Sequence, residues 1–184
     1  MTHLVLASTA FLAVHAALGL LDGVYLHLWR YRLHAHPSSQ REHRWHTLRA
    51  VLFPFMVATL YLAPPTGWML WTGVAIVAVD LAILLADVID EPDSRAPMGG
   101  LPGREYMLHV VLVTAHIASV TLLFAALPLD AWSVGSTAMV EWPEATRLLA
   151  VNLLPGGVGI ALLHVVLAVR PSLLPAARAT PPVG

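Results

Sequence analysis

The side chains able to do chemistry here are ten histidines and eleven carboxylates, in a chain of 184 residues that has no cysteine. Nitrogen and oxygen are therefore the only donors. Disulfides, thiolate metal sites, iron–sulfur clusters and cysteine nucleophiles are excluded. The spacing of these residues is helical: positions i, i+4, i+7 and i+11 share a narrow sector of a helix. His15, Asp22, Trp29 and His36 fall on one such stripe, with His27 and His34 on a neighbouring one. Glu42 and His46 share a face with His43 beside them. Asp80, Asp87 and Glu91 align with Asp90 close by, and Glu105, His109 and His116 align.

The elements that carry these stripes follow from composition. Residues are 58% hydrophobic and 11% charged, with a mean hydropathy of +0.72, whereas a soluble domain has about a quarter of its residues charged. The predicted fold is all-α, an integral membrane bundle of about five transmembrane helices. Five apolar runs, at about 4–36, 40–63, 68–90, 104–127 and 145–169, make one domain over 1–170, followed by a flexible Pro/Ala-rich tail at 171–184. The first run has only His3 before it and reads as a helix rather than a cleaved signal peptide. Ser39 and Glu42 read as a capping box at the start of the second, and Pro54 as a kink within it. His27 and His34 are expected to snorkel to the membrane interface, and His164 aligns with no other polar residue.

Orientation rests on arginine, since lysine is absent. Arg30, Arg32, Arg41, Arg44 and Arg49 cluster at the first connection, Arg95 and Arg104 at the third, and Arg170 and Arg178 after the last run. The positive-inside rule then puts the N-terminus outside and the C-terminus in the cytoplasm. A bacterial inner membrane is the expected location. The net charge of −1 argues against a nucleic-acid partner.

At a rise of about 1.5 Å per residue, the polar residues sort into two layers. His15, Asp80 and His116 come to mid-membrane, as a proton relay, a second metal site, or axial ligands of a haem or chlorin. One heptad further in, Asp22, His43, His46, Asp87, Glu91, Glu105 and His109 converge. Buried ionisable groups in a membrane are costly and seek partners. Carboxylates at the C-terminal end of the third helix also oppose its dipole. They call for a cation, either arginine or a metal. Histidine with carboxylate and no sulfur, supplied by several helices, is a ligand set for iron or zinc, with two metals expected.

In ligand type and placement this inner layer resembles the membrane-embedded di-metal enzymes, such as the integral-membrane fatty-acid desaturases and hydroxylases. The resemblance rests on His43, His46, His109 and the carboxylates near them. The chain has one H-x-x-H, at His43–His46, and is richer in carboxylates, in that respect nearer the ferritin-like di-iron bundles. The resemblance implies an oxidoreductase acting on a membrane lipid or lipid-like substrate. Zinc in the same ligands implies a hydrolase. A haem- or chlorin-binding subunit of an electron-transfer or photosynthetic complex, a structural accessory subunit and a transporter stay open as alternatives. So does assembly into a larger complex or homo-oligomer.

Overall fold

The computed structural model describes residues 1–138 and 140–174. Five α-helices, Thr2–Gly19 (α1), Gln40–Leu60 (α2), Gly67–Arg95 (α3), Gly103–Ala126 (α4) and Glu144–Val169 (α5), account for most of them, and no strand occurs among the described residues. Four helical stretches, Thr2–Ala35, Gly67–Met98, Gly103–Ala126 and Glu144–Val169, are long and apolar enough to cross a membrane. Their outward side chains suit that role: Leu85, Ile89 and Leu162 are 65%, 75% and 61% exposed. The second helix is the exception, because Arg41, Glu42, His43, Arg44, His46 and Arg49 fill its first half. It packs against α3 and α5, while α1 packs on α4.

The bundle has two cores of opposite chemistry. At one end Leu12, Met56, Val57, Leu60, Leu70, Val120 and Leu123 form an apolar cluster. Beside it Tyr61 Oη lies 3.0 Å from Ser8 Oγ and 2.5 Å from Ser119 Oγ, tying α1 and α4 to the end of α2. Thr9 and Thr146 share a 2.7 Å hydrogen bond between α1 and α5. Buried hydroxyls in such pairs satisfy each other and lock helix register. At the opposite, arginine-rich end the interior is polar.

The start of α1 is regular, but its continuation is not. Leu20–Arg30 is π-helical, closed by Tyr31 N–H on Leu26 C=O at 2.8 Å. Gly19 and Gly23, weak helix formers, bracket its first turn. The helix then stops, where the sequence predicts continuation to His36. Arg32 turns the chain in the left-handed region at φ 50°, and short 3₁₀ turns cover Leu33–Ala35 and Pro37–Ser39. The expected capping box is not made. Ser39 Oγ donates to Leu33 C=O at 2.7 Å, and Glu42 turns inward to another partner. The third helix passes its expected end at Asp90 and runs through Pro92 to Arg95. Of the predicted tail, Pro171–Leu173 forms a 3₁₀ turn, and 175–184 lies outside the described residues.

Helix contacts set tight local limits. A Cβ on Gly73 of α3 would come 2.2 Å from Leu60 Cδ2 and 2.6 Å from its Cγ, and Leu60 is fully buried. Gly73→Val is therefore expected to lower stability by about 1–3 kcal/mol. Gly103→Ala, where a Cβ meets nothing within 4 Å, is expected to leave it unchanged. Thermal unfolding of the two purified variants in detergent checks the contrast.

Candidate metal centre

The polar end is assembled by five elements. The π-helical turn of α1 brings Asp22 and His27, the first half of α2 brings Glu42, His43 and His46, and the end of α3 brings Asp87, Glu91, Ser94 and Arg95. The start of α4 brings Glu105 and His109, and the end of α5 brings His164. The π turn decides which residues of α1 take part. Its i→i+5 bonding returns residues five apart toward one face, so His27 joins Asp22. Trp29, which α-helical spacing puts on the Asp22 stripe, is 68% exposed.

His27 is fully buried, contrary to the snorkelling expected of it. Its Nε2 stands 3.3 Å from Asp22 Oδ1 and 3.7 Å from Glu105 Oε1, and its ring meets the His46 ring edge-on at 4.0 Å. Neither ring nitrogen has a hydrogen-bond partner. His46 Nε2 lies 3.1 Å from Asp87 Oδ2, and the other oxygen of Asp87 is buried without a partner. His109 sits between two carboxylates, Nε2 at 3.0 Å from Asp22 Oδ1 and Nδ1 at 3.2 Å from Glu91 Oε1. A neutral imidazole has one N–H to give, and carboxylate oxygens accept. A second proton or a metal ion removes that mismatch.

Two groups bring one ligand atom from each member within 4.8 Å of the rest: Asp22, His27, Glu105 and His109, and His27, Glu42 and His46. They overlap at His27. These are His/Asp/Glu groups that could bind a metal.

Arginine supplies part of the compensation. Arg95, fully buried, donates from Nε to both oxygens of Glu42, at 3.0 and 3.2 Å, and from Nη2 to Glu105 Oε1 at 2.6 Å. Ser94 Oγ donates to Glu42 as well, and the guanidinium lies 4.7 Å over the Tyr31 ring. Ser94 and Arg95, at the end of α3, thus reach into the interior. Glu42 and Glu105 share one cation, whereas the ion pairs of Asp22, Asp87 and Glu91 within 4 Å among the described residues are with histidines. The outer Asp90 is held by Arg41 at 2.7 Å and Trp45 Nε1 at 2.6 Å, plain rim pairing.

A second group of rings lies beside this centre. His43 stacks on His164 at 5.4 Å and meets His34 at 5.6 Å. His34 Nε2 donates to Leu174 C=O at 2.8 Å, and neither nitrogen of His43 has a hydrogen-bond partner. His164 therefore does have a polar neighbour, on α2, which spacing along one helix cannot reveal. His34 is buried like His27, also against expectation.

The middle layer is brought together as its depth predicts. His15 and His116 are in ring contact at 4.8 Å, and His116 Nε2 lies 3.4 Å from Asp80 Oδ2. Arg49 Nε donates to the other oxygen of Asp80 at 3.1 Å, and His15 Nδ1 donates to Leu112 C=O at 3.3 Å. Arg49 enters here as the counter-ion of Asp80, linking α2 to α3.

Removing the buried cation is expected to expose the imbalance. Arg95→Gln leaves two buried carboxylates without their partner, an expected loss of about 3–5 kcal/mol. Arg41→Gln removes a pair whose arginine side chain is 71% exposed and is expected to cost at most about 1 kcal/mol. Denaturation of both variants in one detergent measures the difference. Comparison with protein-family models, with curated proteins and with solved structures finds no match to this chain.

Proposed function

We propose that the chain is a metal-dependent integral-membrane enzyme, an oxidoreductase with an iron or zinc centre of histidines and carboxylates, acting on a lipid-like substrate. The observation that carries the reading is His27. It is a fully buried imidazole, neither nitrogen of which makes a hydrogen bond among the described residues, ringed by Asp22, Glu42, His46, Glu105 and His109. Buried polar groups in native proteins almost always have partners. Here a cation is the partner that satisfies the ring nitrogens and the carboxylate excess together. The two ligand groups that overlap at His27 support a two-metal centre. Bound iron in such a site supplies oxygen activation, and bound zinc supplies water activation and a hydrolase.

In this reading the bundle spans the membrane five times, the polar start of α2 being sheltered between α3 and α5. The N-terminus is outside, and the arginine-rich end with the metal centre faces the cytoplasm. Asp22, His46, Asp87, Glu91 and His109 are the remaining ligand candidates. Glu42 and Glu105, held by Arg95, set the position of the others. His43 belongs to the ring stack with His34 and His164. His15, Asp80 and His116 carry protons between the centre and mid-membrane, with Arg49 holding Asp80 in place.

The haem alternative draws less support. His15 and His116 touch at 4.8 Å beside a cavity of about 30 Å³, and a macrocycle between two axial histidines needs the rings apart. A purely structural role draws its support from Arg95, which compensates part of the buried charge without any metal.

Elemental analysis of the protein purified in detergent tests the reading. Stoichiometric iron or zinc is expected, and His27→Gln together with Asp22→Asn is expected to weaken retention at least about tenfold. A wild-type chain that purifies and reconstitutes without stoichiometric transition metal contradicts it.

A further inference from the structure

Two cavities meet at the metal centre. One, of about 310 Å³, lies toward α3 and α4 and is lined by Asp22, His46, Arg49, Asp87, Glu91 and His109 among others. The second, of about 430 Å³, shares Asp22, His46 and Arg49 with it and runs between α1, α2 and α5. Its α1 wall extends from Ala13 to Gly23, about 15 Å at the rise of a helix. That wall is small and apolar, with Ala16, Ala17 and Gly19, and α5 faces it with Leu153, Gly156 and Ile160. Three further polar side chains line it: His15 is engaged with Leu112 C=O, Asn152 with Leu148 C=O, and His164 is stacked on His43. Leu20 and Gly156 belong both to the lining and to the exposed outer surface, so the cavity opens sideways between two membrane-length helices.

We propose that this cavity binds a single-chain lipid with a small oxygen headgroup, a fatty acid in its carboxylate form. The chain lies along Ala13–Gly23 and the head against Arg49 and His46. The direction of the head rests on the metal-enzyme reading; the binding of the chain does not. Three observations converge on this occupant. The volume is in the range of about 300–1,000 Å³ that holds one small ligand, room for one chain and too little for a two-chain phospholipid. Most of the lining is apolar, from alanine, glycine, leucine and isoleucine side chains. The guanidinium of Arg49, bound through Nε to Asp80, is a fixed cation on the wall that complements an anionic head.

The full chain in nanodiscs is exposed to a photoreactive fatty acid or, separately, to a photoreactive phosphatidylcholine, and the labelled residues are mapped by mass spectrometry. Saturable labelling of Ala13–Gly23 and Leu149–Ile160 by the fatty acid is expected, suppressed at least tenfold by excess palmitate. A Cβ on Gly19 or Gly156 meets nothing within 4 Å, so a side chain can start at either position, and Gly19→Leu and Gly156→Leu add bulk to the lining. Both are expected to cut the labelling severalfold while metal content stays unchanged. Labelling that does not saturate, or equal labelling of the same residues by phosphatidylcholine, identifies ordinary surrounding lipid and overturns the proposal. Competition on the wild type needs no variant, so it decides even where a variant misfolds. Saturable labelling in a metal-free chain refutes the metal reading and keeps the lipid site, while stoichiometric metal without saturable labelling does the reverse.

Discussion

Charge compensation in a dry interior governs this bundle. Glu42 and Glu105 stand on different helices, both buried, and Arg95 at the end of a third helix holds them together. Each ionised group taken from water costs several kcal/mol even after relaxation, so neither carboxylate could sit there alone. The clamp joins the starts of α2 and α4 to the end of α3, the three termini that carry most of the centre's side chains. Once it is in place, His27 and His46 are held edge to edge, and Asp22, Asp87 and Glu91 are paired with imidazoles among the described residues. The arginine thus sets the geometry of a cluster of histidines and carboxylates beside it.

The rest of the fold separates two tasks. The apolar cluster around Leu60 and Leu123, with the Ser8–Tyr61–Ser119 hydroxyls, holds the helices at one end through packing and satisfied hydrogen bonds. The other end carries nitrogens without hydrogen-bond partners at His27, His43 and His164, and His164 lines open volume. Such groups in a buried interior call for a partner. The π turn at Leu20–Arg30 belongs to this end, where wide helical turns often accompany a site.

Much of this was legible in residue type and spacing. The four helical stretches that suit a membrane, the meeting of His15 with Asp80 and His116, and the convergence of Asp22, His46, Asp87 and His109 follow from periodicity and depth. What spacing missed has physical causes. His27 was misplaced because an α-helical period was carried through a π segment. The Ser39–Glu42 capping box failed because a buried guanidinium offers Glu42 more than a backbone N–H does. An arginine counter-ion was foreseeable, but that Arg95 reaches Glu42 and Glu105 and Arg49 reaches Asp80 depends on tertiary packing. His164 had no aligned partner on its own helix and found one across the bundle.

The central claim is that a metal ion completes the polar end of the bundle. X-ray absorption at the metal edge of the purified wild-type chain addresses it most directly. The account predicts a first shell of nitrogen and oxygen only, with the multiple scattering of several imidazoles, lost when His27, His46 and His109 are replaced. A shell without imidazole scattering, as for metal held loosely by carboxylates or water, would contradict it.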